Sequence, residues 1–363
     1  MNENKYNILI CSTSVANFDR RMQRIGQSLQ EAGHSVSWIS RIDDANMHIN
    51  IDHTALNPIA KSGFLFYAFF NFRLFVKLLF RKFDLVYSVD LDTVLPCYLV
   101  SKIRGKKILF DAHEYFTEVP ELINRKGVRK VWEAVANFCL PKIKNNITVG
   151  PMLSQIFTER YKTDYTVIRN ISPDFLEEIK PPENKNTMIY LGVVNKGRGI
   201  ELAIESLVEL KTKRLKIIGG GDLFEEMKSK AQNFGVEDQV EFVGYVNPAR
   251  IREEIEGAYL ALNLLLSESK SYYYSLANKY FDYLQLGIPS ISMAFPEYKN
   301  IDDQYKIGLL IENYNVSDLI SAVHLMDNPG VYKSCLTGIN SAKAIFKWGL
   351  EEEKLNNFIN KLS

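Results

Sequence analysis

YSLANKYFDYLQLGIP, residues 274–289, decides how the chain is read. Its middle has helical periodicity from Asn278 to Leu286, and Gly287-Ile-Pro289 ends the helix and opens the next strand, PSISM (289–293). Upstream, AYLALNLLL (258–266) is a continuous apolar run of the kind found in a strand buried on both faces. The helix therefore starts at the carboxyl end of a strand, the edge at which doubly wound sheets bind ligands. Lys279 and Asp282 are three residues apart and share a helix face, while the helix start near Ser275 and Asn278 turns backbone N–H groups toward an anion. Taken alone, a Lys and an Asp at this spacing describe a solvated surface pair; their place at the strand end suggests a site.

The same alternation extends in both directions. In the second half, TMIYLG (187–192), RLKIIGGG (214–221) and QVEFVG (239–244) alternate with helices beginning at Ile200 and Leu223. In the first half, NILIC (7–11), VSWIS (36–40), DLVYS (84–88), KILF (107–110), NITVG (146–150) and YTVI (165–168) are separated by crossover-sized stretches, the first a helix from about Asp19 to Ala32. A polar break with Pro173, Pro181 and Pro182 lies between the halves. The expected fold is α/β, with two doubly wound, Rossmann-like domains facing a central cleft. They span residues 1–170 and 188–345, joined by a linker at 171–187, and an amphipathic helix in 346–363 returns to the first domain.

Lys plus Arg number 44 against 43 Asp plus Glu in 363 residues, a balance that excludes the broad basic field of a nucleic-acid binder. Cys11, Cys97, Cys139 and Cys335 are too scattered for a disulfide framework or a zinc site and read as reduced core residues. The start, MNENKYNILIC, lacks the pattern of a signal peptide, so a cytoplasmic location is expected. FLFYAFFNFRLFVKLLFRK (64–82) stands apart: Arg73, Lys77 and Arg81 fall at i, i+4 and i+8 beside an aromatic face. It fits a helix in peripheral contact with the inner membrane surface, and equally a crossover helix packed on the sheet with a solvated stripe.

Other strand ends hold chemistry-bearing residues. In YLGVVNKGRGIELAIESL (190–207), Lys196 and Arg198 precede a helix start, and Gly220 lies in the turn Gly219–Asp222. Gly244 and Tyr245 close another strand. KKILFDAHEYFTEVPEL (106–122) sets Asp111, His113 and Glu114 directly after a strand, and a neutral imidazole flanked by carboxylates suits hydrogen bonding and proton transfer. Asp90-Leu-Asp92 has the spacing of a D-x-D metal site.

The segment around Lys279 resembles the donor site of glycosyltransferase family four, in its bacterial polysaccharide-type branch, and the likeness runs through NILIC, DAHE, the RGIE turn, VEFVG and LANKYFDY to the closing tryptophan helix. The resemblance implies a GT-B enzyme, metal-independent and without a cofactor, that moves a hexose with retention from a UDP- or GDP-linked donor to a glycan or lipid-linked acceptor. It assigns Arg198, assisted by Lys196, and Lys279 to the diphosphate, with Ser275 and Asn278 at the helix start. Asp282 is assigned to the ribose, Gly220 to the border of the nucleotide, and Gly244 and Tyr245 to the wall around the base. Relatives commonly carry two glutamates with seven residues between them; Tyr274 stands at the first position here and Asp282 at the second, and Val193 replaces a frequent arginine. The resemblance places His113 beside the donor sugar, oriented by Asp111 or Glu114, and Ser14, Asp19, Arg20 and Asp92 on the acceptor side. The alternatives are a sugar-nucleotide epimerase of the same fold, a metal-dependent D-x-D transferase and a two-lobed sugar-binding protein.

Overall fold

The structure, a computed structural model, describes residues 5–42, 50–58, 60, 63–172, 182, 184–247 and 250–362. Most of the expected linker, including Pro173 and Pro181, lies outside the described residues. The chain divides into two compact units: Met1–Asn170 with Glu351–Ser363, and Ile171–Leu350.

The first unit is built on a parallel sheet of β1 (Asn7–Val15), β2 (Ser35–Arg41), β3 (Asp52–Ala55), β4 (Leu85–Val89), β5 (Lys107–Ala112), β6 (Asn146–Thr148) and β7 (Tyr165–Val167). Their order is β3-β2-β1-β4-β5-β6-β7, so the strand order reverses between β1 and β4. Ile8, Leu9 and Ile10 are all fully buried, as expected of a strand covered on both faces. Helix α1 (Arg20–Glu31) starts at Asp19, whose carboxylate accepts from Met22 N at 3.0 Å, and it buries Met22, Ile25 and Leu29 at helical spacing. Helices α2 (Gly63–Phe80) and α3 (Asp90–Arg104) follow β3 and β4. The edge strand β3, DHTA, has no apolar run to announce it; backbone pairing of Ser37–Ser40 with Asp52–Ala55 makes it.

The second unit has β8 (Thr187–Leu191), β9 (Arg214–Ile218), β10 (Val240–Gly244), β11 (Leu260–Asn263), β12 (Ser290–Met293) and β13 (Gly308–Ile311), in the order β10-β9-β8-β11-β12-β13, again all parallel. Its order reverses between β8 and β11, which pair only through Leu260 with Met188 and Ala261 with Ile189 before they part. The buried Tyr283 hydroxyl fills that gap, accepting from Leu191 N at 2.9 Å and donating to Leu262 O at 3.3 Å. Backbone groups orphaned by the divergence are thereby satisfied at the topological switch point. The last helix, Trp348–Asn360, begins in the second unit, and from Glu351 onward the chain belongs to the first.

Candidate active site

In the second unit the expected donor residues gather at the carboxyl edge of the sheet. The helix Asn278–Gln285 begins at Ala277, whose side chain provides no cap. Ser275, expected at this start, instead donates its hydroxyl to Tyr272 O at 2.9 Å, and Asn278 is exposed. Lys279, in the first turn, is only 6% exposed, yet its ammonium has no hydrogen-bond partner; it lies 3.7 Å from the centre of the Tyr190 ring. Burial, followed by the positive charge of Arg198, pushes its pKa well below the ordinary lysine value, and Asp282 pulls only weakly the other way. Arg198 stacks on the Tyr272 ring with Cζ 4.6 Å from its centre, and its buried Nε also has no partner. Two neighbouring cations thus stand over aromatic rings with hydrogen-bond donors unused. Leaving one such donor unmade costs about 1–3 kcal/mol, more for a charged group, so the pair is arranged for an anion.

Glycines shape the space around these cations. A Cβ on Gly219 (φ +134°) would stand 2.0 Å from the Gly192 carbonyl oxygen, so only glycine lets the β8 and β9 loops meet. Gly192 (φ +139°) faces Lys279, whose Nζ would be 3.5 Å from a Cβ there. The Tyr245 ring, 75% exposed, covers Gly220, where a Cβ would come within 2.4 Å of the ring. Asp282 is buried and accepts a hydrogen bond from Ser172 Oγ. Tyr274 is half-buried with its ring edge-on to Tyr273 at 5.0 Å, and Lys196 is exposed on its turn.

In the first unit the cluster lies at the ends of β1, β4 and β5. Asp111, fully buried, receives Arg21 at both oxygens (Nη2 to Oδ1 3.0 Å, Nε to Oδ2 3.2 Å) and the Tyr87 hydroxyl at 2.7 Å. Arg21 also donates to Ile168 O at 3.0 Å. Burial alone would raise the Asp111 pKa, but Arg21 and His113 outweigh it and hold the carboxyl well below its usual range. His113 Nε2 lies 3.0 Å from Asp111 Oδ2, and Asp90 accepts from His113 N at 2.9 Å, with its other oxygen 3.6 Å from Nδ1. Burial disfavours the imidazolium, yet the charges of Asp111 and Asp90 prevail and lift its pKa to about 9. The carboxylates around His113 therefore favour the imidazolium over the expected neutral imidazole. Its Nε2–H donates to Asp111, and the 3.1 Å approach of Arg21 Nε to the same nitrogen is a contact between donors.

Asp111, as expected, orients His113, and Asp90 shares that task; Glu114 is half-buried beside them. Asp90 adopts φ +55°, a strained conformation for a residue with a side chain, held where it grips His113. Asp92 is buried and accepts from Thr13 Oγ1; burial and the neighbouring Asp90 charge raise its pKa to about 7. The two carboxylates of the D-x-D spacing thus have separate partners, and among the described residues no group of three or more His, Cys, Asp and Glu is placed to hold a metal ion. Ser14 and Asp19 belong to a hydrogen-bond chain that pins the β1–α1 loop: Trp38 Nε1–H to Ser12 at 3.0 Å, Ser12 to Ser14 at 2.7 Å, Ser14 to Asp19. Arg20 is half-buried next to it. Sequence reasoning missed Arg21, Tyr87, Tyr190 and Tyr272. Their partners lie far away along the chain, so no local pattern marks them; Arg21 alone left a trace, as a charge on the apolar side of α1.

Residues 172–333 match the Glycosyl transferases group 1 family. An uncharacterised glycosyltransferase of Haemophilus influenzae is 22% identical over 267 residues, which cover 69% of this chain and 70% of that protein. Among solved structures, sucrose-phosphate synthase of Thermosynechococcus elongatus superposes with a TM-score of 0.78 at 15% identity, covering 96% of this chain and 97% of that one. HepE of Anabaena, solved with UDP-glucose, gives 0.74 at 14% identity, covering 98% and 100%. The chain therefore has the GT-B fold of two Rossmann-like units, and residues 172–333 of it are similar to the Glycosyl transferases group 1 family.

Proposed function

We propose that the protein is a retaining, metal-independent glycosyltransferase that moves a hexose from a UDP- or GDP-linked donor to a glycan or lipid-linked acceptor in polysaccharide or glycoconjugate synthesis. One observation carries this reading: the buried Lys279 ammonium, without a hydrogen-bond partner, beside Arg198 at the start of a helix. Breaking a glycosidic bond to a nucleoside diphosphate leaves negative charge on phosphate oxygens. Donors already fixed in a water-poor site stabilise that charge without having to reorganise. Lys279, Arg198 and the uncapped helix N–H groups are such donors, with Lys196 as an outer cation. They supply the countercharge that a divalent ion provides elsewhere, and no cofactor is needed.

Asp282 is assigned to the ribose, sharing its carboxylate with Ser172, and Tyr274 to a neutral hydrogen bond where relatives carry a glutamate. Gly220, Gly244 and Tyr245 would border the nucleotide. His113, held as an imidazolium by Asp111 and Asp90, would donate to an oxygen of the donor sugar or its phosphate. Asp92, with a pKa near neutrality, is placed on the acceptor side with Ser14, Asp19 and Arg20. The UDP-glucose held by HepE supports a nucleotide-sugar donor.

Lys279→Met tests the assignment, because it removes an unpaired buried charge and keeps the volume. Transfer should fall about 10²–10³-fold, as on deleting one preorganised donor, while thermal stability without ligand stays level or rises. UDP should raise the melting temperature of the wild type but not of the variant. Transfer by Lys279→Met at the wild-type rate would refute the proposal, and loss of wild-type activity in EDTA would refute metal independence.

A further inference from the structure

Helix α2 is apolar on two opposite sides. Phe66, Phe70, Leu74 and Leu78 form its buried face. The opposite face is also apolar: Phe64, Phe72 and Phe80 are 76%, 66% and 82% exposed, and Leu65, Phe69 and Val76 lie between them. A helix covered by water on its outer side ordinarily presents polar residues there, and a contiguous apolar patch of this kind marks a surface that something else covers. Among the described residues, Gly63–Phe80 is the one helix long and apolar enough to cross a membrane, with a mean hydropathy of 1.5. Its inner face is committed to the core, which leaves the outer half for a surface.

The charges around this face decide what covers it. From His53 to Phe83 the sequence contains no acidic residue against five lysines and arginines, Lys61, Arg73, Lys77, Arg81 and Lys82, and the acidic group at this face is Asp52, 3.3 Å from Arg81. Arg73 and Arg81 are exposed along one flank of the apolar face, with the half-buried Lys77 between them. A groove of about 290 Å³, lined by Ile39, Thr54, Val76, Lys77, Phe80 and Arg81, opens at the end of the helix and brings two cations beside apolar walls. The neighbouring helix Lys126–Cys139, whose Trp132 packs edge-on against Tyr67 at 5.1 Å, also exposes Val128, Val131, Lys126 and Lys130. A second copy meeting this face would bring cations of its own to the same interface. An anionic bilayer matches both features, apolar groups for the acyl region and cations for the headgroups.

We propose that the outer face of α2 docks the first unit on an anionic membrane surface, with lipid headgroup phosphate at the Lys77–Arg81 groove. The helix adjoins the candidate site through its buried face: Arg41 lies 5.2 Å over Phe66 of α2 and donates from Nε to Thr13 O at 2.8 Å, and Thr13 holds Asp92. Docking itself stands apart from the proposed transferase activity. Only its consequence, that the acceptor is presented from the bilayer, rests on that activity.

Flotation of the full chain with vesicles of phosphatidylcholine, alone or mixed with phosphatidylglycerol, is the test. The wild type should float with the mixed vesicles only, and less as salt rises. Phe69→Ser/Phe72→Ser/Phe80→Ser should stay behind with an unchanged thermal melt. Lys77→Glu/Arg81→Glu, which spares the apolar face, should weaken partition roughly fivefold or more per charge. Wild type that ignores both vesicle types, or floats equally with both, overturns the proposal, as does flotation by either variant at the wild-type level. A dimer in the absence of lipid that the serine variant turns into a monomer would assign the face to a second copy instead.

Discussion

Lys279 and His113 are buried cations whose surroundings push their pKa values in opposite directions. Lys279 has an aromatic ring and another cation for neighbours, so its charge is disfavoured until an anion arrives; His113 stands between two carboxylates, so its charge is favoured from the start. Helical periodicity made the position of Lys279 legible, but its missing partner depends on Tyr190 and Arg198, which precede it by some eighty residues. His113 was legible as a site residue and misread as neutral, because Asp90 reaches it only through the fold. Its pKa has a consequence for stability. A folded-state value of about 9 against an ordinary 6.5 means that His113 favours the folded state fully below pH 6.5, and that this contribution, at most about 3 kcal/mol, is lost as pH rises through 9. The melting temperature of the wild type should therefore exceed that of His113→Gln at pH 6, and the gap should close by pH 9.5; a gap constant across that range would mean that the histidine is neutral throughout.

Elements were legible where burial on both faces writes a continuous apolar run, as in β1, β4, β8 and β11. The edge strand β3 escaped because DHTA has no such run, and β13, GLLI, is too short to stand out from the helices around it. The switch points were readable only as strand ends. What holds them open is side-chain work across distant elements: Tyr283 between β8 and β11, and Arg21 from α1 beneath β5. Arg21 joins α1, the end of β5 and the residue after β7 through Asp111 and Ile168, all out of water. Breaking a buried ion pair on one side strands the other charge and costs about 3–5 kcal/mol. Arg21→Met should lose stability of that order in thermal or urea unfolding. Arg21→Met/Asp111→Asn should recover a large part of it, since no carboxylate is left unpaired. If the double variant is as unstable as the single one, Arg21 acts through packing and not through its charge.

At the scale of the whole chain, the halves were legible because each repeats the strand–helix alternation, and the final helix because its apolar spacing is regular. The first unit is discontinuous, in keeping with the expected return of the final helix to the first domain. Its last piece, Glu351–Ser363, is synthesised after the entire second unit. That piece is fastened by specific groups: Glu351, 1% exposed, accepts from Arg169 N at 2.8 Å and pairs with its guanidinium, and Lys107 at the start of β5 donates to Leu362 O at 2.9 Å. Leu355 and Ile359 are fully buried four residues apart on the same helix face. Removing residues 351–363 deletes three buried aliphatic side chains, Leu355, Ile359 and Leu362, each worth about 1.5–3 kcal/mol of burial, and leaves backbone and guanidinium groups of Arg169 without their carboxylate. Hydrogen exchange should then show loss of protection in β5, β7 and the segment at Arg169, while β8 to β13 keep theirs. Equal loss in both units would show that the terminal segment stabilises the chain globally and not as the closing piece of the first unit.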